Sequence, residues 1–276
     1  MLKSLKMKYL FFILFSLSFN TIFSQDYTKT KLFIIGTVHQ SSDILNPEML
    51  FKVLNDIQPD ILLQENDSEQ IKTYFEDVMS TSNEQNASLK YLEKYPETLN
   101  LPFEFEGRNA YRKSNGMTPT DNLTIKLIDS LYNSNLLSPE NNKIFKDYQN
   151  ANAALIEFSK KGFKALNSIE FDSLNKYRQN IQHRLLTKIT ESETIFAERF
   201  VTKPDGQKIS FRDGYKLWCN FWDLRNNSMA INIIRTSYQH KGKKIVVLTG
   251  VQHKYYIKEL LEKYHDGNYE VIDYFK

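Results

Sequence analysis

Two stretches near opposite ends of the chain share one pattern. Lys31-Leu-Phe-Ile-Ile-Gly-Thr-Val-His39 and Lys244-Ile-Val-Val-Leu-Thr-Gly-Val-Gln-His253 each run from a short apolar segment into Gly-x-x-His. A short, unbroken apolar run closed by glycine is the signature of a parallel strand buried on both faces. Helical spacing follows the first unit over Pro47 to Ile57 and the second over Lys254 to Tyr264. Strand, helix, strand with short joins demands a parallel arrangement, so both ends belong to one α/β sheet built from two related βα halves. Asp60-Ile-Leu-Leu63, Pro102-Phe-Glu-Phe-Glu106 and Tyr269-Glu-Val-Ile-Asp273 read as its further strands. Between the halves, from about 122 to 241, apolar residues recur at three and four, which predicts a large helical insertion covering one side of the sheet.

The first 24 residues read as an export signal. Lys3, Lys6 and Lys8 precede an apolar core from Tyr9 to Phe19, about half of the ~20 residues that a spanning helix needs. Ser24 and Gln25 mark the expected cleavage point, and no cysteine follows the core to carry a lipid anchor. Residues 25–276 then form a single secreted or periplasmic domain with no stable membrane span. The whole chain has 36 basic and 33 acidic residues, and three of the bases lie in the signal, so the mature part is neutral. A neutral chain has no bulk attraction for nucleic acid. Cys219 is the only cysteine, so no internal disulfide supports the fold and Cys219 reads as core.

In a parallel sheet the strands' C-terminal ends share one edge, where ligands bind. His39, His253, Glu65 and Glu106 all fall just past such ends, with Gly36 and Gly250 expected to turn the backbone tightly before each histidine. Two imidazoles and carboxylates suit a divalent ion, zinc, manganese or cobalt, held by His39, His253 and Glu65. The same groups could serve without metal as general base and acid on a bound water. A long helix over about 209–239 puts Phe211, Tyr215, Trp218, Trp222, Arg225, Met229 and Ile233 on one face. Arg225 is a permanent cation on that apolar seam and needs a carboxylate, Glu65 or Glu106, or an anionic substrate group. Asn226 beside it offers a neutral partner for a polarised carbonyl. His183, His240 and His265 lie in polar contexts and are expected to be solvated.

Gly36-Thr-Val-His39, Gln64-Glu65, Arg225-Asn226-x-x-Met229-Ala230 and Gly250-x-x-His253 together resemble the TraB/PrgY/GumN family, itself linked to Tiki metalloproteases and more remotely to erythromycin esterase-like and ChaN-like proteins. The resemblance covers the two ends of the mature chain. It implies an α/β fold from two related halves, with the paired Gly-x-x-His motifs and the glutamate forming the site. It also implies three functions. The first is an exported metal-dependent hydrolase, a peptidase, with Glu65, Arg225 and Asn226 as catalytic groups, to which the strand-end position of Glu106, and not the resemblance, adds a fourth. The second is a metal-free esterase-like hydrolase with histidine as general base, and the third a non-catalytic protein that binds haem or peptide. The expected substrate is a peptide or a small ester or amide.

Overall fold

The structure is a computed structural model that describes residues 29–75 and 82–276. The expected signal segment, 1–24, lies outside the described residues. Five parallel strands form the central sheet: β1 (Thr30–Thr37), β2 (Ile61–Gln64), β3 (Leu99–Pro102), β6 (Lys244–Gly250) and β7 (Tyr269–Ile272), in the order β3-β2-β6-β1-β7. A separate antiparallel hairpin joins β4 (Phe200–Thr202) to β5 (Lys208–Ser210). The helices are α1 (Pro47–Ile57), α2 (Ser68–Phe75), α3 (Asn83–Lys94), α4 (Arg108–Ser114), α5 (Met117–Asn133), α6 (Pro139–Ser159), α7 (Phe163–Leu166), α8 (Ile169–Asn180), α9 (Leu186–Ser192), α10 (Ile195–Glu198), α11 (Phe211–Gln239) and α12 (Val251–Lys263). A π-helical turn, Ile181–Leu185, links α8 to α9.

The strands alternate their side chains between two cores, as a period of two requires. Leu32, Ile34, Ile61, Leu63, Ile245 and Val247 face α11 and α12, which contribute Met229, Ile233, Ile257 and Leu261. Ile35, Leu62, Val246 and Leu248 face the other way, onto Leu50, Val53, Leu54 and Ile57 of α1 and Ala87 and Tyr91 of α3. The α/β class with a mostly parallel sheet and a large helical region is therefore the observed architecture. The helical region also has a core of its own, in which Ile128, Phe145, Ile181, Leu186, Phe196, Tyr215 and Cys219 pack together. The long α11 serves both: Tyr215 and Cys219 lie in the helical core, Met229 and Ile233 against the sheet.

The strand order places the crevice. From β1 the chain moves outward past β6 to β2 and then β3, whereas from β6 it moves the opposite way, past β1, to β7. The order therefore reverses at the central β1–β6 pair, and such a switch point opens a cleft at the strands' C-terminal ends. Both Gly-x-x-His motifs leave the sheet there, with a difference that the sequence pattern hides. The pairing sets Gly36 opposite Thr249 and Thr37 opposite Gly250, so the two copies are one residue out of register.

Neither glycine serves the expected tight turn. Gly250 has ordinary torsions (φ −55°, ψ 136°), and Gly36 is a strand residue. Gly36 is required by close approach instead. Asn167 bonds both its N–H (2.7 Å) and its carbonyl (3.0 Å), and a Cβ there would sit 2.9 Å from Lys254 Cδ.

Candidate functional site

The long helix brings a cation to the sheet's C-terminal edge. Arg225 is mostly buried, and its Nε donates to the two oxygens of Glu104 at 2.9 and 3.0 Å. Its Nη2 reaches Glu65 Oε1 at 2.6 Å and also bonds Glu104, while Nη1 donates to His253 Nε2 at 2.7 Å. The ring's other nitrogen, Nδ1, faces Asn226 Oδ1 at 2.8 Å, one turn along α11 from Trp222. Trp222 stacks on the imidazole with centroids 4.3 Å apart and planes at 22°. Glu65 Oε2 accepts from the Thr249 hydroxyl and the Gly250 N–H, both at 2.7 Å.

These contacts set the protonation states. Burial, with Arg225 next to it, pushes His253 down to about 3 against the opposing pull of Glu65, so the imidazole is neutral. A neutral ring with Nδ1–H donated to Asn226 leaves Nε2 as the acceptor that Arg225 requires. Burial alone would raise Glu65, but the neighbouring His253 and Arg225 and the bonds from Gly250 and Thr249 outweigh it and hold the carboxyl well below its usual range.

The acid that pairs with Arg225 besides Glu65 is Glu104, not Glu106. The strand expected over 102–106 lies instead over Leu99–Pro102, so Phe103 to Glu106 fall beyond its end. Glu104 is then held by its backbone N–H on the Asn66 carbonyl (3.2 Å) and by Asn232 of α11, which donates to the Phe103 and Glu104 carbonyls. The chain next turns at Gly107, whose φ of +65° suits glycine. That turn carries Glu106 outward, where it accepts from the Ser68 hydroxyl at 2.5 Å on the surface. Alternation along a continuing strand would have kept both glutamates on one face; the early strand end separates them.

His39 is elsewhere in the same crevice, at its mouth. It follows β1 in an irregular segment and its side chain is 66% exposed. Its Nδ1 lies 3.1 Å from Glu84 Oε1, and Glu84 is buried and also accepts from the Thr37 hydroxyl. Glu84 sits in the first turn of α3, where Ser82 caps the helix and a carboxylate is favoured by the helix dipole. The bond to Glu84 raises His39 against the opposing effect of burial, and Glu84 in turn is lowered, its own burial outweighed by His39 and Thr37. Sequence reasoning missed Glu84 because it starts a helix far from any strand end; its only signal is the Ser82-x-Glu pattern of a capped helix.

A pocket of about 270 Å³ lies between these groups. His39, Glu65, Glu84, Gln70, Gln85 and Arg108 are among its walls, while Arg225, Asn226 and His253 lie beneath rather than on them. Arg108 keeps one nitrogen on Glu104 at 2.9 Å. Arg225 and Asn226, expected to meet substrate, are instead bound on every side: Asn226 also donates to the Trp222 carbonyl.

The expected metal set does not fit a divalent ion in this arrangement. Both ring nitrogens of His253 and both oxygens of Glu65 are committed, and a guanidinium occupies the space between them. His39 is paired away with Glu84, and among the described residues no group of three His, Cys, Asp or Glu side chains is placed to hold a metal ion. Among the described residues no helix is long and apolar enough to cross a membrane. No family model, curated protein or solved structure matches the chain.

Proposed function

We propose that this chain is an exported hydrolase that cleaves an ester or amide carbonyl with a water activated by the His39–Glu84 pair, without a metal. One observation carries the reading: a buried carboxylate fixes Nδ1 of an imidazole whose remaining face opens into a polar pocket at the sheet's switch point. A carboxylate on Nδ1 sets the tautomer in which Nε2 bears the lone pair, and it steadies the imidazolium that forms when that nitrogen takes a proton. Water attacks the carbonyl as Nε2 accepts its proton, and the imidazolium then returns that proton to the leaving oxygen or nitrogen. Arg108, a cation on the pocket wall, is the donor available to the developing oxyanion. The Gly250 N–H is already bonded to Glu65 and is not available for that role.

The resemblance to the TraB/PrgY/GumN family and its esterase-like relatives supports the same edge of the sheet as the site. The basic, apolar start of the chain supports export. Three carboxylates (Glu65, Glu84, Glu104) face two guanidiniums (Arg108, Arg225), so with His39 neutral the site favours an uncharged or cationic substrate over an anion. The test is hydrolysis of a panel of p-nitrophenyl esters and aminoacyl p-nitroanilides by the wild type, the His39→Ala variant and a chelator-treated sample. The expected result is turnover that survives chelation and vanishes in His39→Ala. Turnover abolished by chelator and restored by zinc or manganese would overturn the metal-free reading, and turnover unchanged in His39→Ala would overturn the role of His39.

A further inference from the structure

The long α11 is packed on its inner side and exposed on its outer one. Inward, Tyr215 and Cys219 enter the helical core, and Met229 and Ile233 meet the sheet. Trp218 and Trp222 clamp His183 between them, with ring centroids 4.6 and 4.9 Å away. His183 was expected to be solvated but is 4% exposed. The sequence pattern misled because His183 shares its turn with polar Gln182 and Arg184, and a π-turn shifts which residue points inward.

Outward, Leu217 and Tyr238 are 38% exposed, Leu224 47% and Ile231 48%. They follow one another at intervals of seven, so they form one stripe, about 32 Å long at a rise of ~1.5 Å per residue. Two further exposed rings flank it: Tyr264 sets its hydroxyl on Asn227 at 3.2 Å, and Tyr111 stacks on Phe221 with centroids 5.2 Å apart. The outer face of a helix is ordinarily charged. From Leu217 to Tyr238 this one carries Arg235 alone, since Asp223 is turned aside to Arg184 and Tyr256, and Arg225 is mostly buried. Loss of charge around aromatic and aliphatic side chains marks the centre of a protein interface. Six such side chains, each about two-fifths in water, offer on the order of 500 Å² of apolar surface, near the top of the range for the largest patch on a monomer. With the neutral Asn220, Asn227 and Ser228 between them, the face approaches the ~800 Å² per partner of a standard interface.

The spacing gives the shape of the partner, and charge gives its direction. An apolar residue at every seventh position is the period at which one helix follows another, a slight supercoil taking up the drift of ~20° per heptad. A matching partner is a long helix with a stripe of its own, and α11, at 29 residues, is the longest helix among the described residues. Parallel pairing of two copies would set Arg235 against Arg235 and Asp213 against Asp213. An antiparallel pair centred between Asn227 and Ser228 sets Leu217 opposite Tyr238, Leu224 opposite Ile231 and Arg235 opposite Asn220. It also brings Asp213, in the first turn of α11, beside the other copy's helix end, where Lys241 and Lys243 follow, and it opposes the two helix dipoles.

We propose that the outer face of α11 is a self-association surface, on which two copies of this chain pair antiparallel about a two-fold axis between Asn227 and Ser228. Such an isologous contact needs only one patch, used by both copies. It does not depend on the hydrolase reading, since none of these residues lines the His39 pocket.

Sedimentation equilibrium of the full chain is expected to show monomer and dimer exchanging over micromolar concentrations. Leu224→Glu and Ile231→Lys should each weaken the dimer at least tenfold. Their mixture should associate more tightly than either variant alone, because the new acid of one copy lies opposite the new base of the other. Both positions are about half exposed, so each variant diluted to the monomer should keep the Tm of the equally diluted wild type. Cys219, the only cysteine, is buried, so a cysteine placed on the surface reports by itself. Ser228→Cys should cross-link to its own counterpart through a short bifunctional maleimide, whereas Leu217→Cys, ~32 Å from its counterpart in the antiparallel pair, should not. A full chain that stays monomeric at millimolar concentration would overturn the proposal. So would a dimer that both substitutions leave intact, or cross-linking through Leu217→Cys and not through Ser228→Cys.

Discussion

Replacing Arg225 by methionine tests whether one buried cation holds the sheet's functional edge together. Methionine keeps an apolar stem and removes the charge, so Glu65 and Glu104, with side chains only 10% and 0% exposed, lose a shared counter-ion. Removing one partner of a buried ion pair costs about 3–5 kcal/mol. Both acids keep some support. Glu104 retains Arg108 at 2.9 Å and the Phe105 N–H at 2.7 Å, and Glu65 retains Thr249 and Gly250. The expected loss is therefore at the lower end, about 3 kcal/mol, or about 6–12 °C in Tm for a domain of this size. Urea unfolding at pH 7 and pH 5 measures it. The sign follows from Glu65. In the wild type its folded value lies well below its ordinary 4.5, so its contribution is present throughout this window and is lost only as pH falls through that low folded value. In the variant the Arg225 share of that lowering is lost while His253, the Gly250 N–H and the Thr249 hydroxyl still oppose burial, so the folded value moves up from its low level. The gap between wild type and variant must narrow as pH falls through the variant's raised folded value. A loss below about 1 kcal/mol at pH 7, typical of an exposed pair, would refute the reasoning, as would a gap that widens as pH falls.

Glu84→Gln removes the group that raises His39, so the acid limb of kcat/KM on the best ester of the panel, above 6.5 in the wild type, should move down, with kcat falling about 10²-fold; a limb that stays in place would show that His39 is not the base. Gly36→Ala places a methyl group 2.9 Å from Lys254 Cδ, and Lys254 is itself tied to Asp172 at 2.7 Å, so a thermal melt should show a loss of about 1–3 kcal/mol, and a change under about 0.5 kcal/mol would mean that the seam yields freely.

The central strands β1, β2 and β6 were legible because each is built on a short apolar run, which local pattern decides, whereas β3, with Asn100 and Pro102 among its four residues, fell over 99–102 and not over the expected 102–106. The sheet's edge was legible too: His39, Glu65 and His253 all lie at the C-terminal ends of neighbouring strands, at or beneath one crevice. The partners were not. Glu104 and Glu106 share a parity along any strand, and only the stop at Pro102 and the turn at Gly107 tell them apart. Glu84 and Asn167 act through packing of helices whose docking positions no local pattern records. The seam on α11 was read correctly as needing compensation for Arg225, but a helical face indicates that a partner exists without saying which one.

The two Gly-x-x-His copies show why a repeat in sequence does not fix a role. They leave adjacent strands in the same direction, yet the one-residue offset in pairing gives them different paths. His253 enters the first turn of α12 and is covered by α11, which supplies Trp222, Arg225 and Asn226; His39 stays in an open segment and meets Glu84 from α3. Burial beside a guanidinium on one ring, a carboxylate bonded to the other, drive the pair apart: His253 falls to about 3 and is a fixed neutral acceptor, while His39 rises. Titratable groups separated by their surroundings in this way divide acid–base labour from scaffolding. His253 holds Arg225, Arg225 holds Glu65 and Glu104, and those acids anchor the floor over which, on the proposed hydrolase reading, His39 exchanges a proton. On this division, loss of His253 is felt first as loss of the floor, and loss of His39 as loss of turnover alone.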